Sequence, residues 1–241
     1  MGFDARVEIL PDPEALARHV AGKLLAAAAA GGDRFAVVLS GGSTPRRLYE
    51  LLAAPPYAAS FPWSRVHWFW GDERFVPHAD AESNYRMARE AMLSRAPVPA
   101  VNIHAVPTEG MAADAAAAAY ERALKAFYGA DRLDPARPLF GLVLLGLGED
   151  GHTASLFPGT TALAERGRWV VAVSGAQSTT RITLTFPALE SCREAAFLVS
   201  GCGKRAILAR LRQGDQALPA ARLRPQGTLT LYADAAAGAP P

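Results

Sequence analysis

The sequence predicts an α/β fold in which helices flank a mainly parallel sheet, and two observations support this prediction. Short apolar runs alternate along the chain with helix-like stretches, an order typical of strand–helix–strand units. The runs are apolar throughout and do not alternate with polar residues, as expected of strands that are covered on both faces. With 241 residues, 50% of them hydrophobic, the chain is long enough to bury a sizeable core.

The individual elements follow from the same pattern. Five apolar runs are predicted to be buried strands: 35–39, 66–70, 142–145, 169–173 and 196–199. Four stretches are predicted to be helices: 14–30, 45–52, 84–93 and 111–128. The first helix is rich in Ala and Leu and is followed by Gly31-Gly32, which ends it. Thr44 is expected to cap the second helix, with Pro45 in its first turn.

Organisation and composition narrow the class of protein. No repeat or linker interrupts the pattern, so we expect one domain over 1–234, followed by a frayed tail over 235–241. The formal net charge is +2 and the basic residues are spread along the chain, whereas nucleic-acid binding favours a clustered basic face. The alanine run at 26–30 is far too short to span a bilayer, and no signal-like segment opens the chain. We therefore expect a cytoplasmic protein that binds neither nucleic acid nor membrane, and the sequence leaves its oligomeric state open.

Three polar, Gly-containing turns follow predicted strands, and in open α/β sheets ligands bind beyond the carboxyl ends of the strands. The first turn is 40–46. Gly41 and Gly42 let the backbone approach a ligand closely, and Ser43 and Thr44 lead into a helix N-terminus that favours an anion. A P-loop would need a Gly-Lys-Ser/Thr ending, which is absent. The alternative is an ordinary strand-to-helix turn.

The second turn contains Asp72-Glu73-Arg74, directly after an aromatic strand. The planar fork of Arg74 matches the oxygens of a phosphate group. The alternative is a solvated loop, since loops are usually polar and exposed.

The third turn, at 146–151, has the spacing G-x-G-x-x-G after a strand. It does not predict a dinucleotide site, because Glu149 and Asp150 place two carboxylates where a pyrophosphate would lie. The residues at 156–159 (LFPG) also interrupt the helix that such a site requires.

Asp150 and His152 are the candidate catalytic residues of this third turn, because both side chains can reach one pocket. Histidine titrates near neutral pH and is the most frequent general base, and a nearby carboxylate can fix its tautomer. The alternative is a His that only hydrogen-bonds loop backbone. A metal site is disfavoured because no HExxH sequence or cysteine pair accompanies the His.

Two later basic residues complete the set of candidates. Arg181 begins a strand-like stretch, and Lys204 follows the strand at 196–199 in the order Gly-Cys-Gly-Lys. Each is either a surface charge or a further contact for an anionic ligand.

Taken together, these segments resemble the 6-phosphogluconolactonase family. The matching stretches are 39–45 (LSGGSTP), 71–77 (GDERFVP), 82–84 (ESN), 145–159 (LGLGEDGHTASLFPG), 181–187 (RITLTFP) and 203–204 (GK). The resemblance implies a fold similar to that of glucosamine-6-phosphate deaminases. It also implies hydrolysis of 6-phosphoglucono-1,5-lactone, a small sugar-phosphate lactone, without metal or organic cofactor.

Two other functions compete with the lactonase. The related deaminase carries a Glu where this chain has Phe157, and a Tyr where it has Arg74, so both positions favour the lactonase. Sugar-phosphate sensors with a related fold normally carry a helix-turn-helix segment ahead of the sensor domain. The residues before 35 read instead as one strand and one helix, which disfavours a sensor.

The expected roles follow from this resemblance. His152 would activate water and Asp150 would orient and stabilise the imidazole.

The remaining candidates would bind substrate. Arg74, Lys204 and the backbone at 41–44 would hold the phosphate. Arg181 would contact either the phosphate or the carbonyl, and Asp72 would bind sugar hydroxyls.

Overall fold

The structure is a computed structural model that describes residues 3–239, which form nine strands. In chain order these are β1 (Arg6–Leu10), β2 (Phe35–Leu39), β3 (Val66–Trp70), β4 (Asp72–Arg74), β5 (Phe140–Leu145), β6 (Val170–Val173), β7 (Arg181–Leu184), β8 (Cys192–Val199) and β9 (Thr228–Asp234). Six of them form a sheet in the order β1-β9-β8-β5-β2-β3, and every neighbouring pair in it is parallel. The predicted α/β fold with a mainly parallel sheet is confirmed.

The same residues form eight α-helices. They are α1 (Pro13–Ala30), α2 (Ser43–Leu52), α3 (Tyr57–Ser60), α4 (Asn84–Ala88), α5 (Ala113–Tyr128), α6 (Phe186–Glu190), α7 (Arg205–Arg212) and α8 (Ala235–Gly238). The side chain of Asp12 caps α1 by accepting a hydrogen bond from the Ala15 N–H at 2.7 Å. The helix expected over 84–93 is only half α-helical, because α4 continues as a π-helical turn over Arg89–Leu93. Within residues 3–239, no helix is both long and apolar enough to cross a membrane.

A second, smaller sheet corrects two expectations. β4, β7 and β6 pair in that order, and both pairs are antiparallel. The apolar run at 169–173 is therefore not a strand of the parallel sheet. It is apolar because β6 packs against α5 and the core, which bury Val170 and Val171. The charged segment Asp72–Arg74, expected to be a turn, is strand β4 and pairs with β7.

The order of the strands creates a crevice between β2 and β5. β2 has β3 on one side and β5 on the other, and the chain continues from β5 to β8 and β9 in the opposite direction. The segments that follow β2 and β5 therefore separate at the carboxyl ends of these two strands. Such a switch point is where open α/β sheets bind ligands.

The end of the chain differs from the expected frayed tail. The buried carboxylate of Asp234 accepts hydrogen bonds from the N–H groups of Gly201 and Ala237, and so caps the helix Ala235–Gly238. Ala237 is also buried. These contacts hold residues 235–238 against the sheet, and residues 240–241 lie outside the described part of the chain.

Candidate active site

A cavity of about 630 Å³ lies at the carboxyl ends of the parallel strands. It brings together predicted residues from the segments that follow β2, β3, β5 and β8, namely Gly41, Gly42, Asp72, Arg74, Asp150, His152 and Lys204. Ser43, Thr44 and Arg181 are the predicted residues that do not line it.

Asp150 and His152 form a direct hydrogen-bonded pair on the cavity wall. His152 Nδ1 lies 2.5 Å from Asp150 Oδ1, and the same oxygen accepts the His152 backbone N–H at 3.0 Å. Burial disfavours ionisation of Asp150, but the hydrogen bonds from His152 outweigh it and lower the pKa of this carboxyl. An ionised carboxylate only accepts hydrogen bonds, so Nδ1 must carry the proton. The neutral imidazole then keeps the lone pair on Nε2, which is free to act as a base.

The glycines of the 146–151 turn make room for this pair. A Cβ on Gly148 would lie 2.1 Å from His152 Nδ1 and 2.8 Å from Asp150 Oδ1. Gly151 has φ +82°, and a Cβ there would lie 2.6 Å from the side chain of Leu218. The glycine spacing that mimics a nucleotide site therefore serves the placement of the imidazole.

On its other side, His152 packs against an apolar ring. The ring centroids of His152 and Phe157 are 4.5 Å apart, and Phe157 is buried. The position at which the deaminase family carries an acid therefore holds an apolar contact for the imidazole.

The segment after β3 is organised by a buried carboxylate, Glu73. Its two oxygens accept hydrogen bonds from the backbone N–H groups of Arg74, Asn84 and Tyr85 at 2.7–2.8 Å, and from the Ser83 hydroxyl at 3.2 Å. Burial raises the pKa of Glu73, against the effect of the backbone donors. All four partners are donors, so Glu73 ties β4 to the start of α4 through both oxygens.

Arg74 and Arg181 lie opposite each other in the register of β4 and β7. Arg74 Nη1 donates to the Glu82 carbonyl at 2.6 Å, and the Nε atoms of both arginines are buried without a hydrogen-bond partner in the described residues. Burial and the charge of Arg74 lower the pKa of Arg181. Two neighbouring cations with unused donors favour an anionic ligand, although Arg181 itself does not line the cavity.

Asp72 is held by residues distant in sequence. Its Oδ2 accepts a hydrogen bond from the Ser155 hydroxyl at 2.6 Å, and its backbone carbonyl accepts one from Asn84 Nδ2 at 2.9 Å. A Cβ on Gly41 would lie 2.1 Å from Asn84 Oδ1, so this glycine permits the close approach of the two segments.

Two buried tyrosines fix the carboxyl ends of β2 and β3. The Tyr49 hydroxyl accepts from the Ser40 N–H and donates to the Ser40 carbonyl, both at 2.9 Å. The Tyr120 hydroxyl does the same for Trp70, at 2.8 and 3.1 Å. The backbone is therefore anchored where the chain leaves β2 and β3 and enters the cavity wall.

The expectation that Thr44 caps α2 is wrong. The helix begins at Ser43, and its N-cap is Gly42, which has φ 106° and no side chain to accept a hydrogen bond. Thr44 lies inside the first turn, and its hydroxyl is 2.6 Å from that of Ser200. This contact joins the turn after β2 to the segment after β8, which carries Lys204.

Several residues of the cavity wall were not assigned a role from the sequence: Ser40, Asn84, Leu147, Glu149, Ala154 and Gln177. Asn84 belongs to the ESN stretch, so the family pattern contained a signal for it. Gln177 lies between β6 and β7, and no sequence signal marked it. Across residues 3–239, no group of three His, Cys, Asp or Glu side chains is arranged to hold a metal ion.

Similarity to known proteins covers nearly the whole chain. A family model described as glucosamine-6-phosphate isomerases/6-phosphogluconolactonase matches residues 11–232. A 6-phosphogluconolactonase from Nostoc sp. is 43% identical over 240 residues, which are 97% of each chain. The crystal structure of 6-phosphogluconolactonase from Thermotoga maritima has a TM-score of 0.81 at 32% identity and covers 96% of this chain and 100% of its own. A monomeric glucosamine-6-phosphate deaminase, at 18% identity, shares the fold with a TM-score of 0.80 over 96% of this chain and 98% of its own. The family resemblance and the deaminase-like fold expected from the sequence are confirmed.

Proposed function

Since the chain belongs to the family of glucosamine-6-phosphate isomerases and 6-phosphogluconolactonases, we propose that it hydrolyses 6-phosphoglucono-1,5-lactone to 6-phosphogluconate. The reaction is a step of the oxidative pentose phosphate pathway. Relatives that match at 43% and 32% identity over nearly their whole length carry the name 6-phosphogluconolactonase. The protein is thus a carboxylic ester hydrolase.

One observation carries this proposal: the Asp150–His152 pair and the cations Arg74 and Lys204 line the same cavity. A sugar-phosphate lactone needs a base at its carbonyl and positive charge at its phosphate. The Phe157 ring against His152 argues against the deaminase, whose proton transfers need an acid beside the imidazole.

Hydrolysis begins with water and neutral His152. Nε2 takes a proton from the water as its oxygen attacks C1, and the carbonyl becomes a tetrahedral oxyanion. When the oxyanion collapses, the bond from C1 to the ring oxygen breaks, and the imidazolium returns the proton to that oxygen. Asp150 keeps Nδ1–H oriented and stabilises the imidazolium. This sequence consumes one water molecule and needs no metal or organic cofactor.

The substrate phosphate carries a charge of about −1.5 to −2 at pH 7. Arg74, Lys204 and the free N–H groups at the start of α2, next to Gly41 and Gly42, bind it. Arg181 lies beside Arg74 on the neighbouring strand and adds positive potential there, which favours a role near the phosphate over contact with the carbonyl. Holding the phosphate at a distance from the base fixes the orientation of C1.

The sugar hydroxyls face Asp72. Its carboxylate lines the cavity and is held in place by Ser155.

One experiment distinguishes the candidate functions. The pure protein is incubated separately with 6-phosphoglucono-1,5-lactone and with glucosamine 6-phosphate, and release of acid and of ammonia is followed. We expect acid release from the lactone above its spontaneous rate and no ammonia. Ammonia release would make the protein a deaminase, and no reaction with either compound would favour a sensor.

A cytoplasmic location belongs to the same proposal, as expected of an enzyme that acts on a charged metabolic intermediate. Fractionation of the source cells with an antibody to the protein tests it, and recovery with the membranes or outside the cell would contradict it.

A further inference from the structure

A second cavity, of about 170 Å³, lies at the other end of the sheet from the catalytic cavity. It is lined by the residues where β2 and β5 begin, by the ends of α1 and α5, and by Arg193 near the start of β8. The strands between the two cavities have five or six residues, at about 3.3 Å each, so the cavities are roughly 15–20 Å apart. The proposed hydrolysis makes no use of this second cavity.

Three arginines line the second cavity, and none of the described Asp and Glu residues does. The guanidinium of Arg34 lies 4.2 Å from the centre of the Phe127 ring, and that of Arg137 lies 4.1 Å from the centre of the Tyr128 ring. None of Arg34, Arg137 and Arg193 forms an ion pair with a carboxylate in residues 3–239. Three exposed arginines therefore line one cavity without an ion pair, and the aromatic rings hold two of them in place.

The floor of this cavity is apolar and closely fitted. Phe35, Leu139 and Phe140 line it and are buried. The Phe35 ring occupies space left by two glycines, because a Cβ would lie 2.3 Å from the ring at Gly31 and 2.1 Å at Gly141. The cavity thus joins an aromatic floor to a cationic rim.

We propose that this arginine-lined cavity is a second binding site, separate from the catalytic one, for a small organic anion. The phosphate or carboxylate of the ligand lies among Arg34, Arg137 and Arg193, whose planar forks match either group. The apolar part of the ligand lies on the Phe35 floor. The volume of about 170 Å³ limits the ligand to the size of a single small ring with its charged group.

A pair of histidines beside Arg34 provides an independent signal for occupancy. His67 Nδ1 and His104 Nε2 are 3.1 Å apart. Burial and the charge of Arg34 lower the pKa of His67; burial, His67 and Arg34 lower the pKa of His104 to about 4. An anion on Arg34 counteracts its charge, so occupancy should raise both pKa values.

The test uses phenyl phosphate and benzoate as probes, with benzyl alcohol as the neutral comparison. Binding to the full-length protein is measured by calorimetry, and the two histidine rings are followed by NMR. We expect at least one of the anions to bind, benzyl alcohol to bind at least tenfold more weakly, and the His67 and His104 resonances to shift. Arg193→Ala and Arg137→Ala should each weaken anion binding roughly tenfold, as expected for loss of a charged hydrogen bond. Lactone turnover should be unchanged in both variants.

Two controls separate the second cavity from the catalytic one. Arg95→Ala removes an exposed arginine that lines neither cavity and should leave binding unchanged. Arg74→Ala should leave the histidine shifts unchanged. The proposal is wrong if neither anion binds, if Arg193→Ala and Arg137→Ala bind as the unaltered protein does, or if Arg74→Ala alone abolishes binding.

Discussion

The two walls of the catalytic cavity are built in different ways. The wall after β5 is built from residues that are close in the sequence, since Asp150 and His152 are 2 residues apart. The wall after β3 depends on distant segments, since Asp72 is held by Ser155, which is 83 residues away. Glu73 ties the same wall to the start of α4 through three hydrogen bonds, from Ser83, Asn84 and Tyr85.

The two walls should therefore differ in whether substitutions affect only turnover or also the stability of the fold. The pair after β5 is partly exposed, with 29% of the His152 side chain and 45% of the Asp150 side chain accessible to solvent. Substitutions there should reduce turnover and leave stability nearly unchanged. Glu73 is 1% exposed, so substitutions in its network should reduce both substrate binding and stability. The following variants test this contrast.

The largest effect is expected for His152→Ala. Loss of the general base should lower kcat by roughly 10²–10⁴-fold, while affinity for 6-phosphogluconate and Tm stay near those of the unaltered protein. Lactone hydrolysis, product calorimetry and thermal unfolding measure the three quantities. His19→Ala, which removes a histidine outside the cavity, is the matched control. A His152→Ala variant with near-normal kcat would exclude the base assignment.

The second largest effect, a loss of both stability and substrate binding, is expected for Glu73→Gln. The amide nitrogen replaces one acceptor oxygen, so up to two of the four donors lose their partner, at about 1–3 kcal/mol each. Chemical unfolding should show this loss of stability, and KM should rise more than kcat falls because Arg74 and Asn84 lose their anchor. Glu190→Gln is the control: that half-buried carboxylate accepts one hydrogen bond, from the Arg224 N–H, far from the cavity. Equal losses of stability in the two variants would refute the special role of Glu73.

A third variant, Gly148→Ala, tests the local wall without removing any functional group. The new methyl group would occupy the place of the imidazole, so His152 must move, at about 1–3 kcal/mol. We expect kcat to fall by about tenfold or more with substrate affinity retained. Gly22→Ala, where a Cβ meets nothing within 4 Å in the middle of α1, should leave activity intact and stabilise the protein slightly. Unchanged kcat in Gly148→Ala would show that the imidazole position is not critical.

The smallest effect is expected for the stability of Asp150→Asn. The pKa of Asp150 is lowered in the folded protein, so the carboxylate contributes stability above its unfolded pKa and loses it as pH falls through the lowered folded value. Because the side chain is 45% exposed, the variant should be less stable by at most about 1 kcal/mol at pH 7. The difference should vanish in acid, as unfolding curves across pH can establish. A difference that grows toward low pH would contradict this account.

The same contrast explains what could be predicted from the sequence. The apolar runs at 35–39 and 66–70 match β2 and β3 residue for residue, because burial leaves these strands almost entirely apolar; the exception is the half-buried His67. The contact between Asp150 and His152 could be predicted because the two residues lie in the same turn.

The role of Glu73 was not predicted, because three of its four donors, in residues 83–85, reach it only when β4 meets α4. Thr44 was misassigned for the same reason: local capping preference predicts a cap, but the hydroxyl finds Ser200 on a distant segment. Gln177 reaches the cavity only through the path of the chain between β6 and β7.

The position of β9 has a consequence for how the molecule is made. β1 pairs with β9 alone in the six-stranded sheet, and β9 separates it from β8. The ribosome completes Leu10 roughly 10–45 seconds before it reaches Thr228, at about 5–20 residues per second. Throughout that interval β1 has no partner, and once β8 is complete at Val199 its edge stays open to neighbouring chains until β9 follows. A chain that ends before Thr228 therefore lacks β9, which leaves β1 without a partner strand and β8 with an open edge.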